Sequence, residues 1–309
     1  MAQTIGLTGA TGFVGRTLLN QLLGHAYPVR ALVRQPGRLS ASAALEEIHG
    51  SLEDSAALKT LVRGCHTVVH VAGAIAGRDY ADFARVNSAG SARLVQALEQ
   101  HNPGCRLIMI SSLAAREPGL SDYALSKRAG ELVVESSLLD WIILRPPAVY
   151  GPLDPALAPL WRSLARGWLL RAGPAQARFS LLHADDLARA ILVLLERSVL
   201  GCRSGSLHDG RDRGYSWADV ASIAEAVSGR RIRTLPVPRS ALSLVAQVNQ
   251  GVSRLSGQAP ILGPGKVREL NHVDWVCDNT LLEDIPGWAP AHQLEQALPT
   301  LPGWSRLTT

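Results

Sequence analysis

The chain has 309 residues, a formal net charge of +5 and a hydrophobic content of 47%. These values are typical of a globular protein with a large core and exclude a disordered chain. No uninterrupted apolar stretch has the length of a membrane-spanning helix, and the N-terminus lacks the basic region of a signal peptide. The arginines are dispersed and the four cysteines are not spaced as metal ligands. We therefore expect a cytoplasmic protein with no metal, nucleic-acid or membrane partner, and a homodimer is compatible with the sequence.

The first element along the chain is a strand, Ile5–Thr8, followed by glycines spaced three apart and then by apolar residues at helical spacing. At a turn from strand to helix, free backbone N–H groups and the helix dipole attract an anion, and glycine lets a pyrophosphate approach the backbone. A glycine-rich turn without a ligand is the alternative. The position between strand and helix favours a dinucleotide, with contacts from Gly9, Thr11, Gly12, Phe13, Val14 and Gly15.

Strand and helix patterns then alternate through the first half of the chain. The strand patterns cover Val29–Val33, 47–49, 67–71, 106–112 and 141–146, and the clearest helical patterns cover 79–100 and 121–137. This alternation predicts an α/β fold with a Rossmann-type, doubly wound parallel sheet and right-handed crossovers.

The composition changes after Tyr150, where proline and tryptophan become frequent. We expect a dinucleotide-binding domain over 1–150, to which 179–210 return as a strand and a helix. The remaining segments, 151–178 and 211–309, are expected to form a smaller C-terminal substrate lobe.

A tyrosine and a lysine lie four residues apart in "SDYALSK", so Tyr123 and Lys127 share one helix face. A nearby ammonium favours phenolate, which would lower the pKa of the phenol and suit it to proton transfer with a carbonyl or alcohol oxygen. Ser112 lies at the end of the preceding strand, where ligands bind parallel sheets. Taken alone, Tyr123 and Lys127 could equally be an ordinary exposed pair on a helix. Ser112, taken alone, could simply belong to a turn.

Taken together, several segments resemble the extended short-chain dehydrogenase/reductase superfamily, also described as NAD-dependent epimerases/dehydratases. They are "TGATGFVG", "VVHVAG", "RVNSAGSARLVQA", "YALSK", "LRPPAVYGP", "HADDLARA" and the closing stretch 287–306. The resemblance implies that Tyr123 is the general acid/base, that Lys127 binds the nicotinamide ribose and that Ser112 holds the substrate oxygen. It also implies a positioning role for Asn87 and cofactor contacts at Ala72, Gly73 and Pro146. Only about 230–285 carries no landmark of the superfamily.

Departures from the family pattern reduce the number of reactions that this chain is expected to catalyse. The acidic pair of the dehydratases is replaced by Leu113 and Ala114, so dehydration is not expected. Sugar-nucleotide epimerases usually carry a phosphate-binding arginine four residues before the histidine of "HADDLA", and here that position is Phe179, preceded by Arg178. These differences favour an NAD(P)-dependent reductase or dehydrogenase. A sugar-nucleotide epimerase with retained NAD and a non-catalytic cofactor-binding subunit are the two alternatives.

The pocket for the substrate is expected to have an apolar wall. Apolar side chains that could form its wall, for each of which core packing is an equal explanation, are Val149, Tyr150, Trp161, Trp168 and Phe179.

The second strand bears on the choice of dinucleotide. An Asp or Glu at its end would bind the ribose 2′-OH and select NAD, but that position is Val33 and no carboxylate occurs between Val29 and Leu45. Arg34 follows and could pair with a 2′-phosphate, helped by Arg38, unless it is a solvated surface arginine. We therefore expect NADP(H) to be preferred, with NAD(H) as the alternative.

Overall fold

The computed structural model of the protein describes residues 3–197, 201–260, 262–283 and 287–304. Its strands are β1 (Ile5–Thr8), β2 (Val29–Val33), β3 (Leu45–His49), β4 (Thr67–His70), β5 (Arg106–Ile110), β6 (Trp141–Arg145), β7 (Ala148–Tyr150), β8 (Trp168–Ala172), β9 (Arg178–Phe179), β10 (Leu181–His183), β11 (Arg203–Ser206), β12 (Tyr215–Ser216), β13 (Arg233–Val237) and β14 (Asp274–Trp275). The last two residues of the stretch 287–306 lie outside the described residues.

The helices alternate with these strands in the first half and dominate the second half. They are α1 (Phe13–Gly24), α2 (Ser55–Val62), α3 (Tyr80–Asn87), α4 (Ala89–His101), α5 (Asp122–Glu135), α6 (Ala158–Ala165), α7 (Ala184–Leu195), α8 (Trp217–Ser228), α9 (Arg239–Ser256), α10 (Pro264–Leu270), α11 (Thr280–Glu283) and α12 (Leu294–Ala297), with 3₁₀ turns at Leu113–Arg116 and Leu298–Thr300. In the described part of the chain, the helices are too short or too polar to cross a lipid bilayer.

Seven parallel strands form the central sheet, in the order β11-β6-β5-β4-β1-β2-β3. The strand order reverses between β1 and β4, where Thr8 pairs with His70 at the carboxyl ends. Ligands of doubly wound sheets bind at this reversal. The Rossmann-type prediction is therefore confirmed, and the sheet brings the glycine turn and the "VAG" segment together.

The structure differs from the sequence-based boundaries at three places. The helix predicted over 79–100 divides at Ser88, and the strand predicted over 106–112 ends at Ile110, where Ser112 caps the 3₁₀ turn. The first strand within 179–210, β10, does not join the large sheet but pairs with β7 in a separate two-stranded sheet. Prolines at 146 and 147 lack the N–H needed for pairing and separate β7 from β6. The segment 179–210 reaches the large sheet through α7, which packs in the same apolar cluster as α1, and through β11, which extends the sheet alongside β6.

Two apolar clusters cover the faces of the central sheet, because its buried strands alternate their side chains between them. On β5, Ile108 and Ile110 join the cluster under α1 and α7, whereas Leu107 and Met109 join the cluster under α2 and α4. A third cluster is built from residues after position 149, and its largest fully buried members are Tyr150, Trp161, Tyr215 and Trp304.

Candidate functional site

The glycine turn forms a tight cradle that a larger side chain would destroy. Gly9 has φ +76°, and a Cβ there would lie 2.6 Å from the backbone nitrogen of Ala72. A Cβ at Gly15 would lie 2.0 Å from the carbonyl oxygen of Gly9. Gly12 caps α1 without a side-chain hydrogen bond, and the first turn of the helix has no acidic residue. The turn therefore offers uncapped N–H groups to an anion, which fits the pyrophosphate of a dinucleotide.

The other predicted contacts lie around this cradle. Thr11 is exposed, Val14 is half-buried against the core, and the ring of Phe13 packs beside Gly151 at the end of β7. Ala72 and Gly73 follow β4, and the buried Pro146 accepts a hydrogen bond from the N–H of Leu113 at 2.8 Å.

A buried hydrogen-bond chain joins the ends of β1 and β4 to α4. Thr8 Oγ1 lies 2.7 Å from Nδ1 of His70, and His70 Nε2 lies 3.0 Å from Ser91 Oγ. The Ser91 hydroxyl donates to the Asn87 carbonyl at 2.8 Å, which assigns the ring proton to Nε2. Burial, with the charge of Lys127, lowers the pKa of His70 to about 3, so this histidine is neutral and structural.

Asn87 connects the segment after β4 to the helix that carries the tyrosine. Its Oδ1 accepts the Ala74 N–H at 2.7 Å, and its Nδ2 donates to the Ala74 carbonyl and to Ser126 Oγ at 3.0 and 2.9 Å. Ser126 in turn donates to the Tyr123 carbonyl at 2.8 Å. Since Asn87 is 1% exposed, these bonds are shielded from water and fix α5 relative to the turn after β4.

Lys127 is held against the end of β5. Its Nζ donates to the carbonyl of Ile110 at 2.9 Å, and the residue is only 4% exposed. Burial lowers the pKa of Lys127 to about 8, partly offset by the charge of Glu131. A Cβ at Gly73 would lie 3.6 Å from this ammonium, so the lysine borders the segment that was expected to contact the cofactor.

Tyr123 and Ser112 come together, as the sequence indicates, but the expected pKa shift is reversed. Burial raises the pKa of Tyr123 to about 12, hydrogen bonding with Ser112 opposes this shift, and the charge of Glu269 adds to it. Lys127 does not lower the pKa of this phenol, because its ammonium is directed to the Ile110 carbonyl. The phenol is consequently protonated at neutral pH and can act as a proton donor.

The segment without sequence landmarks supplies a buried carboxylate beside this pair. The Ser121 hydroxyl donates to Glu269 Oε1 and caps α5 by accepting the Ala124 N–H at 2.9 Å. Lys266 donates to the other carboxylate oxygen of Glu269 at 2.9 Å. Through this contact, the helix α10 packs on the first turn of α5. Ser121, which receives the contact, lies only two residues before Tyr123 in the sequence.

A second carboxylate, Glu131, anchors the opposite end of α5. It is fully buried and receives two hydrogen bonds from Arg145, at 2.8 and 2.7 Å, and one from Arg128 at 2.9 Å. Burial would raise the pKa of Glu131, but the hydrogen bonds and charge of Arg145 outweigh it and hold the pKa below its usual value. Glu131 therefore stays charged and ties α5 to the end of β6.

The family match covers about two thirds of the chain. The model of the NAD dependent epimerase/dehydratase family matches residues 5–203, which contain the glycine cradle, Asn87, Ser112, Tyr123 and Lys127. The chain belongs to the NAD-dependent epimerase/dehydratase family. This confirms the resemblance derived from the motifs, and the chain is an NAD-dependent enzyme of the reductase and epimerase type.

Individual members of the family show a range of activities. The chain is 35% identical over 285 residues to the ceramide reductase of Caulobacter vibrioides, covering 91% of this chain and 89% of that protein. It is 26% identical over 326 residues to the UDP-glucose 4-epimerase of Vibrio cholerae, covering 96% and 93%. Its fold matches that of UDP-glucuronic acid 4-epimerase from Bacillus cereus with a TM-score of 0.74, at 18% identity and with 99% and 100% of the chains covered.

The residues considered for a substrate wall occupy different environments in this family member. Tyr150 and Trp161 are 0% and 1% exposed and pack in the third apolar cluster, so core packing accounts for both. Val149 is half-buried beside the cluster under α1, and Trp168 is partly exposed on β8. Phe179 packs on Trp217 with ring centroids 5.0 Å apart, at the edge of the third cluster.

Arg34 follows β2 and is exposed, with neither a hydrogen bond nor an ion pair to any residue that the structure describes. Arg38 instead donates to Gln35 Oε1 at 3.0 and 2.7 Å. Arg34 is therefore available to an anionic ligand, whereas Arg38 is engaged locally.

A further polar cluster lies at the start of α7. The rings of His183 and His292 stack 4.5 Å apart, and ligand atoms of both lie with Asp185 within 4.8 Å of one another. His183 Nδ1 accepts the Asp185 N–H at 3.3 Å, and His292 Nδ1 lies 3.0 Å from the buried Asp186. The two histidines come from distant segments, so no close spacing in the sequence signals the cluster, and the expectation of no metal stays a prediction.

Proposed function

We propose that this protein is an NADPH-dependent reductase that converts a ketone of a long-chain, ceramide-like lipid to an alcohol. The proposal takes its substrate class from the relative named ceramide reductase, which is 35% identical to this chain over nine-tenths of its length. It takes its reaction from the proton-donating tyrosine and from the absence of the dehydratase acids at Leu113 and Ala114.

The observation that carries the proposal is an aromatic contact at position 179. Sugar-nucleotide epimerases usually have a phosphate-binding arginine at this position. Phe179 occupies the expected arginine position and packs on Trp217. The neighbouring Arg178 cannot take over, because its guanidinium donates to the carbonyls of Arg213 and Gly214 at 2.7 and 3.0 Å and lies 3.6 Å from Asp219. An apolar surface at this position favours an acyl chain over a diphosphate.

The dinucleotide would be held by groups already in place. The uncapped N–H groups of the glycine cradle would bind the pyrophosphate, and Lys127 would bind the nicotinamide ribose. The exposed Arg34, with no carboxylate at the end of β2, would pair with a 2′-phosphate and so favour NADPH over NADH.

The reaction adds a hydride to carbon and a proton to oxygen, and the bound reduced nicotinamide supplies the hydride. The Ser112 hydroxyl orients the substrate carbonyl oxygen toward Tyr123. As negative charge develops on that oxygen, the Tyr123 phenol donates its proton, and the resulting phenolate is stabilised by its hydrogen bond with Ser112. Solvent then restores the phenolic proton. Asn87 and Ser126 hold α5 so that the phenol keeps its position.

The test is turnover of a ketone-bearing ceramide analogue in detergent micelles with NADPH, followed by the loss of NADPH absorbance and by mass spectrometry of the alcohol. The matched control is Tyr123→Phe. Loss of NADPH that depends on both the analogue and Tyr123 is the expected result. Conversion of UDP-glucose to its epimer without added cofactor would instead identify a sugar-nucleotide epimerase. NADPH binding without turnover of either substrate would identify a non-catalytic subunit.

A further inference from the structure

Helix α9 carries its large apolar side chains toward solvent. Four of them, between 49% and 63% exposed, are Leu244, Val245, Val248 and Val252. Their spacing of one, three and four residues places them on one helix face. The side packed on the protein carries the nearly fully buried Ala246 and Ser253. Helices of globular proteins normally show the opposite arrangement, so this apolar stripe is suited to a partner outside the chain.

The strand pair that precedes α9 is also apolar on its exposed side. Leu170 of β8 pairs with Leu235 of β13, and the two are 50% and 45% exposed. Trp168 is 38% exposed, with the Arg233 guanidinium 5.4 Å from its ring centroid. Pro238 alone separates β13 from α9. Half of the large apolar side chains that the structure describes as exposed, seven of fourteen, therefore belong to α9 and the β8–β13 pair.

The segment that contains β13 and α9 is also positively charged. Residues 226–268 contain seven arginines and lysines and no aspartate or glutamate, so this segment is more positive than the whole chain with its net charge of +5. Four of these arginines are exposed and form no ion pair with any residue that the structure describes: Arg230, Arg231, Arg239 and Arg254. Such a surface attracts an anionic partner and repels a second copy of itself.

We propose that α9 and the β8–β13 pair dock on the surface of an anionic lipid bilayer. A bilayer offers an apolar phase for the valines, leucines and tryptophan and anionic headgroups for the arginines at the same place. A second copy would cover the apolar stripe but would bring two segments of charge +7 together. This proposal revises the expectation, made from the sequence, of no membrane partner.

The docked surface adjoins the candidate site through one helix. Asn249 of α9 donates to the Leu262 carbonyl at 3.3 Å, just before α10. The helix α10 carries Glu269, which accepts the hydrogen bond of Ser121 at the start of α5. Two successive contacts thus connect the docked helix, through α10, to the first turn of α5. The docking proposal stands on the surface alone, so a failed lipid-reductase assay would leave it unchanged.

The experiment is flotation of the full-length protein with phosphatidylcholine vesicles that do or do not contain phosphatidylglycerol. We expect binding to the anionic vesicles and its loss at high ionic strength, because the arginines contribute to it. The double variant Leu244→Gln/Val248→Gln should bind at least about tenfold more weakly, since less apolar surface would enter the bilayer. The matched control Leu132→Gln/Leu138→Gln changes two exposed leucines elsewhere and should bind as the wild type does.

Circular dichroism and thermal melting establish whether each variant is folded. Both variants are expected to fold, because all four substituted side chains are exposed. Equal vesicle binding by the wild type and by the Leu244/Val248 variant would overturn the proposal, as would no binding by the wild type. Light scattering measures the oligomeric state of the wild type and of the Leu244/Val248 variant. A wild-type dimer that the Leu244/Val248 variant converts to a monomer, without vesicle binding, would show that a second copy covers the surface.

Discussion

Ser121 and Glu269 lie 148 residues apart in the chain, yet the serine hydroxyl donates to the buried carboxylate at the first turn of the tyrosine-bearing helix. The same hydroxyl accepts the Ala124 N–H and so caps α5. Glu269 is 6% exposed, and its charge raises the pKa of Tyr123. The segment 230–285 therefore acts on the candidate site directly, through one hydrogen bond and one charge.

The variant Glu269→Gln should shift the pH dependence of reduction. Removing the negative charge lowers the pKa of the Tyr123 phenol, so the proton donor is lost at a lower pH and the alkaline limb of kcat/KM moves toward acid. The measurement is the pH profile of NADPH oxidation with a carbonyl substrate. Glu117→Gln, which changes a partly exposed carboxylate that pairs with Arg116, is the control and should leave the limb in place. A limb that stays fixed or moves to higher pH in Glu269→Gln would show that this charge does not act on Tyr123.

The variant Tyr123→Phe should abolish turnover and keep cofactor binding. Only the proton donor is removed, and general acid–base catalysis contributes about 10²- to 10⁴-fold in rate. Turnover and the dissociation constant for NADPH, measured by fluorescence titration, separate the two effects. Near-normal turnover would exclude Tyr123 as the acid.

Lys127 should make the free energy of unfolding depend on pH. Its pKa is about 8 in the folded protein and 10.5 in the unfolded chain, so the unfolded chain binds more protons between these values. Stability therefore rises with pH across this window, by about 2 kcal/mol near pH 9.5 relative to pH 7. Urea unfolding of the wild type and of Lys127→Met at both pH values isolates this contribution, because other groups titrate alike in both proteins. A constant difference between the two proteins would refute the lowered pKa.

The sequence predicts the central sheet well because its signals are local. The apolar strands, the turn glycines and the spacing of Tyr123 and Lys127 each occupy a short window, and the structure follows them. The direction of the Tyr123 pKa shift depends on burial and on Glu269, which no local window contains. For the same reason, the periodicity of α9 indicates an apolar stripe but not that the stripe faces solvent.

The Arg145→Met variant should destabilise the fold, because it removes the two-point partner of a fully buried carboxylate. Breaking a buried ion pair typically costs about 3–5 kcal/mol, and the remaining hydrogen bond from Arg128 places the expected loss near the lower end. The measurement is the free energy of unfolding in urea. Arg78→Met breaks an exposed pair with Asp82 and should have a much smaller effect. Equal losses in the two variants would mean that Glu131 does not anchor α5.

Arg34→Ala tests the preference for NADP(H). A charge-assisted hydrogen bond contributes about 1.5–3 kcal/mol, which corresponds to about ten- to a hundredfold in affinity. The wild type should therefore bind NADPH at least about tenfold more tightly than NADH, and less so at high ionic strength because Arg34 is exposed. The variant should lose this preference while its affinity for NADH stays the same. Arg38→Ala, whose guanidinium is engaged by Gln35, serves as the control and should keep most of the preference. A wild type that prefers NADH, or an unchanged ratio in Arg34→Ala, would show that the 2′-phosphate is not bound at the end of β2.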